Sequence, residues 1–102
     1  MDDARAARMA TELMGTTIGG WTIREYLGAG KSALVFKAEK DSALAALKVF
    51  DPELVQRFGM DVQTARRDKG TAYISLEIAV IGILFLHFLH MRMSPMTFPN
   101  LV

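Results

Sequence analysis

The stretch that decides the fold is Trp21-Thr22-Ile23-Arg24-Glu25-Tyr26-Leu27-Gly28-Ala29-Gly30-Lys31-Ser32-Ala33-Leu34-Val35-Phe36-Lys37. Before the glycines, Trp21 and Ile23 stand at strand-like intervals; after them, Leu34, Phe36 and Ala38 alternate with Ala33, Val35 and Lys37. Period-two alternation on both sides of a Gly-containing turn reads as a β-hairpin. The polar break Lys40-Asp41-Ser42 then introduces a third apolar run, Ala43 to Phe50, so three strands joined by tight turns form an antiparallel meander.

Outward from the meander, Asp51-Pro52-Glu53 carries the marks of a helix start. Asp can cap free N–H groups, Pro fits the first helical position, and Glu suits the positive end of the dipole. Leu54, Phe58, Val62 and Ala65 recur on one helical face, which predicts an amphipathic helix running to about Arg67 despite Gly59 in its middle. Residues 1 to 20 alternate Ala, Arg and acidic groups before a Gly/Thr-rich turn, and predict a short helix or a frayed arm. Ile78 to Met91 holds no formal charge and predicts an apolar helix; an irregular tail with Pro95 and Pro99 follows. The expected fold is α+β: a twisted antiparallel sheet of three to five strands, one amphipathic helix and a C-terminal apolar helix. Its expected parts are an arm (1–19), a lobe (20–67) and an apolar segment with its tail (68–102).

Composition limits the function. The 102 residues carry 12 Lys+Arg against 11 Asp+Glu, 51% hydrophobic residues and no Cys, which excludes a disulfide scaffold or a Cys-based metal site and argues for a folded domain. A net charge of +1 with no basic stripe gives no footprint for nucleic acid. The N-terminal residues lack the apolar core of a secretory signal, so the expected compartment is the cytoplasm. An alternative is a membrane span through 72–91, which needs Glu77, His87 and His90 inside it; Arg66, Arg67 and Lys69 against Arg92 would then keep the N-terminal part in the cytoplasm. His87 and His90 share a helical spacing but have no accompanying ligands nearby, and read as ordinary histidines.

Two elements carry chemistry. The glycines of Gly28-Ala29-Gly30 let backbone N–H groups approach an anion, although the same residues can serve merely as turn glycines. Lys48, embedded in Ala46-Leu47-Lys48-Val49-Phe50, is an ammonium in an apolar strand, costly unless its head meets an anion. In a strand, Ala46 shares the face of Lys48. A phosphate-binding P-loop is excluded for Gly30-Lys31-Ser32, because Glu25 stands where that motif needs its first glycine and a strand follows instead of a helix.

Taken together, Trp21-Thr22-Ile23, Leu27-Gly28-Ala29-Gly30, Val35-Phe36-Lys37-Ala38 and Ala46-Leu47-Lys48 resemble the N-terminal lobe of eukaryotic-like serine/threonine protein kinases over about residues 20 to 65. Asp51 to Gly59 is similar to the linker after the kinase lysine in bacterial members, and Phe98-Pro99-Asn100-Leu101-Val102 to the start of the fourth kinase strand. The resemblance implies ATP as ligand, held by Leu27, Gly28, Ala29, Gly30, Lys31, Ser32 and Ala33 over the phosphates, by Val35 and Ala46 on adenine, and by Lys48 on the α/β-phosphates. Ala33 replaces the third loop glycine. Glu77, 29 residues beyond Lys48, is the candidate for the glutamate that pairs with the lysine from the following helix. The sequence contains neither H-R-D-x-x-x-x-N nor D-F-G, so the proton-accepting base and the Mg²⁺ ligands expected of the family are lacking, as in a lobe truncated before its catalytic loop. The implied partner is the missing C-lobe or another protein; the alternative function is a non-catalytic interaction or membrane-anchored module of the same shape.

Overall fold

The computed structural model describes residues 1–78. Helix α1 (Asp3–Leu13) is followed by strands β1 (Thr17–Ile18), β2 (Trp21–Ala29), β3 (Ala33–Lys40) and β4 (Ala43–Phe50), helix α2 (Pro52–Phe58), and strands β5 (Gln63–Arg67) and β6 (Gly70–Ile78). The three expected strands are β2, β3 and β4. All six strands close antiparallel into a barrel in the order β1-β2-β3-β4-β6-β5, with β1 paired to β5 through Ile18 and Arg67. Over the described residues the fold is therefore α+β, a closed barrel with two helices.

Local chemistry explains the curvature. In β2 the register against β3 skips at Arg24 and at Leu27, where two steps along β2 match one along β3. Each such bulge bends and twists its strand, which helps a sheet this small to close. The β3–β4 turn holds Asp41 and Ser42 at φ 49° and 69°, the left-handed pair that matches the twist of a two-residue hairpin.

The alternation read from the sequence sorts the strands' two faces. Leu34, Phe36 and Ala38 of β3 and Ala45, Leu47 and Val49 of β4 fill the interior with Ile23, Ile18, Trp21 and Ile74. Helix α1 completes that interior with Ala6, Ala10 and Leu13, which recur at helical spacing on its buried face. Residues 1–19 are thus not a bare arm, because their helix is a wall of the core.

Three expectations change. The described residues form six strands and two helices, where three to five strands and one amphipathic helix were expected, because β1 and β5 close the sheet and α1 packs into its interior. The helix expected from 51 to 67 stops at Phe58, and Gln63–Arg67 is a strand. Gly59 ends α2 in the left-handed conformation, φ 59° and ψ 40°, its N–H donating to the Val55 carbonyl. Phe58, counted on the apolar face of the longer helix, is 68% exposed. The apolar segment also changes at its start, since residues 72–78 belong to β6, paired to β4 and β5, rather than to a helix. A span beginning at 72 is therefore excluded over those residues. The remainder of that segment, His87, His90 and the Phe98–Val102 echo lie outside the described residues. Among the described residues no helix is long and apolar enough to cross a membrane.

Candidate functional site

Residues in register on neighbouring strands project to the same face of a sheet. Gly28 of β2 stands opposite Val35 of β3, Val35 opposite Lys48 of β4, and Lys48 opposite Ser75 of β6. This cross-strand row lies on the outer face, because Leu34, Leu47, Val49 and Ile74 between its members point inward. The next row along the strands is Glu25, Lys37, Ala46 and Glu77. Val35, Ala46 and Lys48, separated in sequence, thus meet on one surface beside Gly28, and Glu77 stands diagonally from Lys48 on that surface. The correction concerns its element: Glu77 reaches the lysine's neighbourhood from strand β6, not from a helix.

The surroundings of Lys48 are apolar on one side. Its Nζ lies 5.2 Å from the centroid of the Phe50 ring, close enough for a cation–π contact. Phe50 in turn packs with Ala33 and Val55 in a small cluster that seats α2 on the outer face. Val35 and Ala46 are buried to 1% and 2% exposure, whereas Lys48 is half-buried. Burial pushes the Lys48 ammonium below its ordinary pKa, since removing water disfavours the charged form. In the second row, Lys37 Nζ and Glu25 Oε1 pair at 3.6 Å.

The glycine turn is a two-residue loop, Lys31-Ser32, closed by the Gly30 N–H donating to the Ala33 carbonyl at 2.8 Å. Gly28 is extended at φ 159°, and Gly30 is not among the positive-φ residues. Neither glycine is therefore required by a left-handed turn angle. What they contribute is the absence of a side chain, at Gly28 directly opposite the buried Val35. Ala33, in place of a third glycine, turns its methyl into the Phe50–Val55 cluster. Leu27, at the bulge, is buried, and Ala29 pairs with Leu34 and packs against the core.

The loop tip is fastened to both helices. The Met1 amino group donates to the Lys31 carbonyl and the Asp51 N–H to the Ser32 carbonyl, each at 2.8 Å. Asp51 caps α2 through the Glu53 N–H at 3.0 Å and also accepts Arg5 Nε at 2.6 Å and Nη2 at 2.8 Å. The Arg5 hydrogen bonds hold the Asp51 carboxyl below the usual carboxylate range, against the opposing effect of burial, and hold the Arg5 guanidinium firmly charged.

The sequence reading missed Ser75, Lys37 and Glu25 as neighbours of the lysine, and Arg5 as the partner of Asp51. Ser75 had a signal: Ala72, Ile74 and Leu76 alternate with Thr71, Tyr73, Ser75 and Glu77, a strand pattern obscured by the apolar run that begins at Ile78. Arg5 had none, since a pairing across 46 residues leaves no local trace. Comparison of the chain with protein-family models, curated proteins and solved structures finds no match.

Proposed function

We propose that the outer face of β2–β4 is a nucleotide site, in which the barrel serves as the ATP-binding lobe of a serine/threonine protein kinase-like domain. The observation that carries this reading is the row Gly28–Val35–Lys48, extended by Ala46 one step along β4. In this reading Val35 and Ala46 flank the adenine, the Gly28–Gly30 backbone lies over the phosphates, and Lys48 neutralises them. Glu77, diagonal to Lys48, orients the ammonium as a positioning residue. Burial disfavours the charged form of the Lys48 ammonium, and a phosphate beside it would favour that form. Phosphotransfer needs a base and Mg²⁺ ligands that these 102 residues do not contain, so the activity proposed for this chain is binding.

The test is thermal unfolding with and without Mg·ATP. At ligand tenfold above Kd the stabilisation is about 1.4 kcal/mol, a rise in Tm of about 5–10 °C for a domain of this size. Lys48→Met removes the rise. No rise in the unmodified chain at millimolar Mg·ATP overturns the nucleotide reading. What then stands is the non-catalytic interaction module, favoured by the exposure of Phe58 and Leu44.

A further inference from the structure

Away from the Lys48 face, a cavity of about 180 Å³ lies between α1, the end of β4 and the start of β6. Its polar wall is made by Arg5, Arg8, Glu12, Arg67 and Thr71. Arg5 is occupied by Asp51, which leaves the guanidiniums of Arg8 and Arg67 against the single carboxylate of Glu12. Arg67 Nε is shielded from solvent and has no hydrogen-bond partner among the described residues. A buried N–H without an acceptor is destabilising, and a guanidinium donor is the costliest kind to leave unmet. Glu12 does not meet it, since among the described residues it forms no ion pair with Arg67 or Arg8.

We infer that this cavity is a site for a small oxyanion of phosphate type, bound by Arg67 and Arg8. The planar guanidinium fork matches the oxygens of phosphate and presents two donors at once. Arg67 sits inward on β5, in register with Ile18, so its head is held at the barrel's closing seam while Arg8 can swing in from the exposed side of α1. Arg67 and Thr71 also line a larger open groove of about 920 Å³ with Thr17, Thr64 and Arg66. The anion can therefore be free phosphate or the phosphate end of a small phosphomonoester whose remainder lies in that groove.

The test uses inorganic phosphate and phenyl phosphate on the full chain, against chloride at equal ionic strength. Phosphate at millimolar concentration raises the Tm, and moves the Arg67 Nε–H resonance in nitrogen-15 spectra. Arg67→Met abolishes the rise, and Arg8→Ala, a change at an exposed position, weakens binding severalfold. Lys48→Met leaves the phosphate response intact, so failure of this site and failure of the nucleotide site are separable. Phenyl phosphate binding tighter than phosphate identifies a phosphomonoester as occupant, and equal affinity identifies the free anion; both support the site. A phosphate effect no greater than that of chloride, or an Arg67 Nε–H resonance that does not move, overturns it, even where Arg67→Met fails to fold.

Discussion

The two helices among the described residues begin alike and end up with different work. Each is capped by an aspartate, Asp2 accepting from the Arg5 N–H at 2.8 Å and Asp51 from the Glu53 N–H at 3.0 Å. Helix α2 has the fuller start signal, with Pro and Glu behind its cap, yet it runs only seven residues and buries Val55 alone. Helix α1 has the plainer sequence, yet Ala6, Ala10 and Leu13 enter the barrel interior. Capping chemistry announces where a helix begins, while its share of stability depends on which core receives its face. Truncation sharpens this contrast most. Leu13→Ala, at 1% exposure, is expected to cost about 3 kcal/mol through lost burial and the cavity left behind. Val55→Ala, in the small outer cluster, is expected to cost about 1–2 kcal/mol from the methyl groups it withdraws. Urea unfolding of the two variants measures both, and equal losses would mean that α1 is no more than an arm.

The helices are joined at Arg5, which pairs closely with Asp51 and at 3.5 Å with Glu53, and the next largest effect lies at the closer pair. Asp51 is 2% exposed and accepts both Arg5 donors, while the Arg5 side chain is 35% exposed. Removing the carboxylate leaves a guanidinium that can turn toward water, so Asp51→Ala is expected to cost about 2–3 kcal/mol, below the range for fully buried pairs. Its pH dependence follows from the sign of the shift. The folded-state pKa is depressed, so the carboxylate's contribution is complete above the unfolded value of about 3.9 and is lost as pH falls through the lower folded value. Stability of the unmodified chain therefore declines with acid from about pH 5 downward, and Asp51→Asn flattens that decline. An unchanged acid profile in Asp51→Asn would remove this pair as the link between the helices.

What the sequence made legible divides along the same line. The meander could be read because Leu34, Phe36, Leu47 and Val49 alternate with outward residues, a pattern that the barrel core enforces locally. Placement of Ala46 and Lys48 on one face followed from that alternation alone, whereas Val35 was joined to them by the kinase resemblance and stands opposite Lys48 in the register of β3 and β4. The closure through Ile18 and Arg67, the seating of α1 and the Arg5–Asp51 pair could not be read, since each joins segments far apart in the chain. The strand at Gln63–Arg67 was masked by an accident of spacing: Val62 and Ala65 fall on the helical face begun by Leu54 and Phe58, yet they pack from beyond the helix.

The smallest predicted effect decides between those two periodicities, because it changes sign with the answer. Inside a continuous helix from 51 to 67, Gly59→Ala would stabilise by about 1 kcal/mol, since alanine is the better helix former. At the left-handed end of α2 the same change must force a Cβ into φ 59°, at a cost of about 1 kcal/mol. Among the described residues, and beyond its own chain neighbours, no atom lies within 4 Å of the position that Cβ would take, so the backbone angle sets the sign. Gly59→Asn, which tolerates the left-handed region, is expected to recover much of the loss. Denaturation midpoints falling in the order glycine, asparagine, alanine would fix the end of α2 at Phe58, whereas alanine above glycine would restore the longer helix and detach β5 from the barrel.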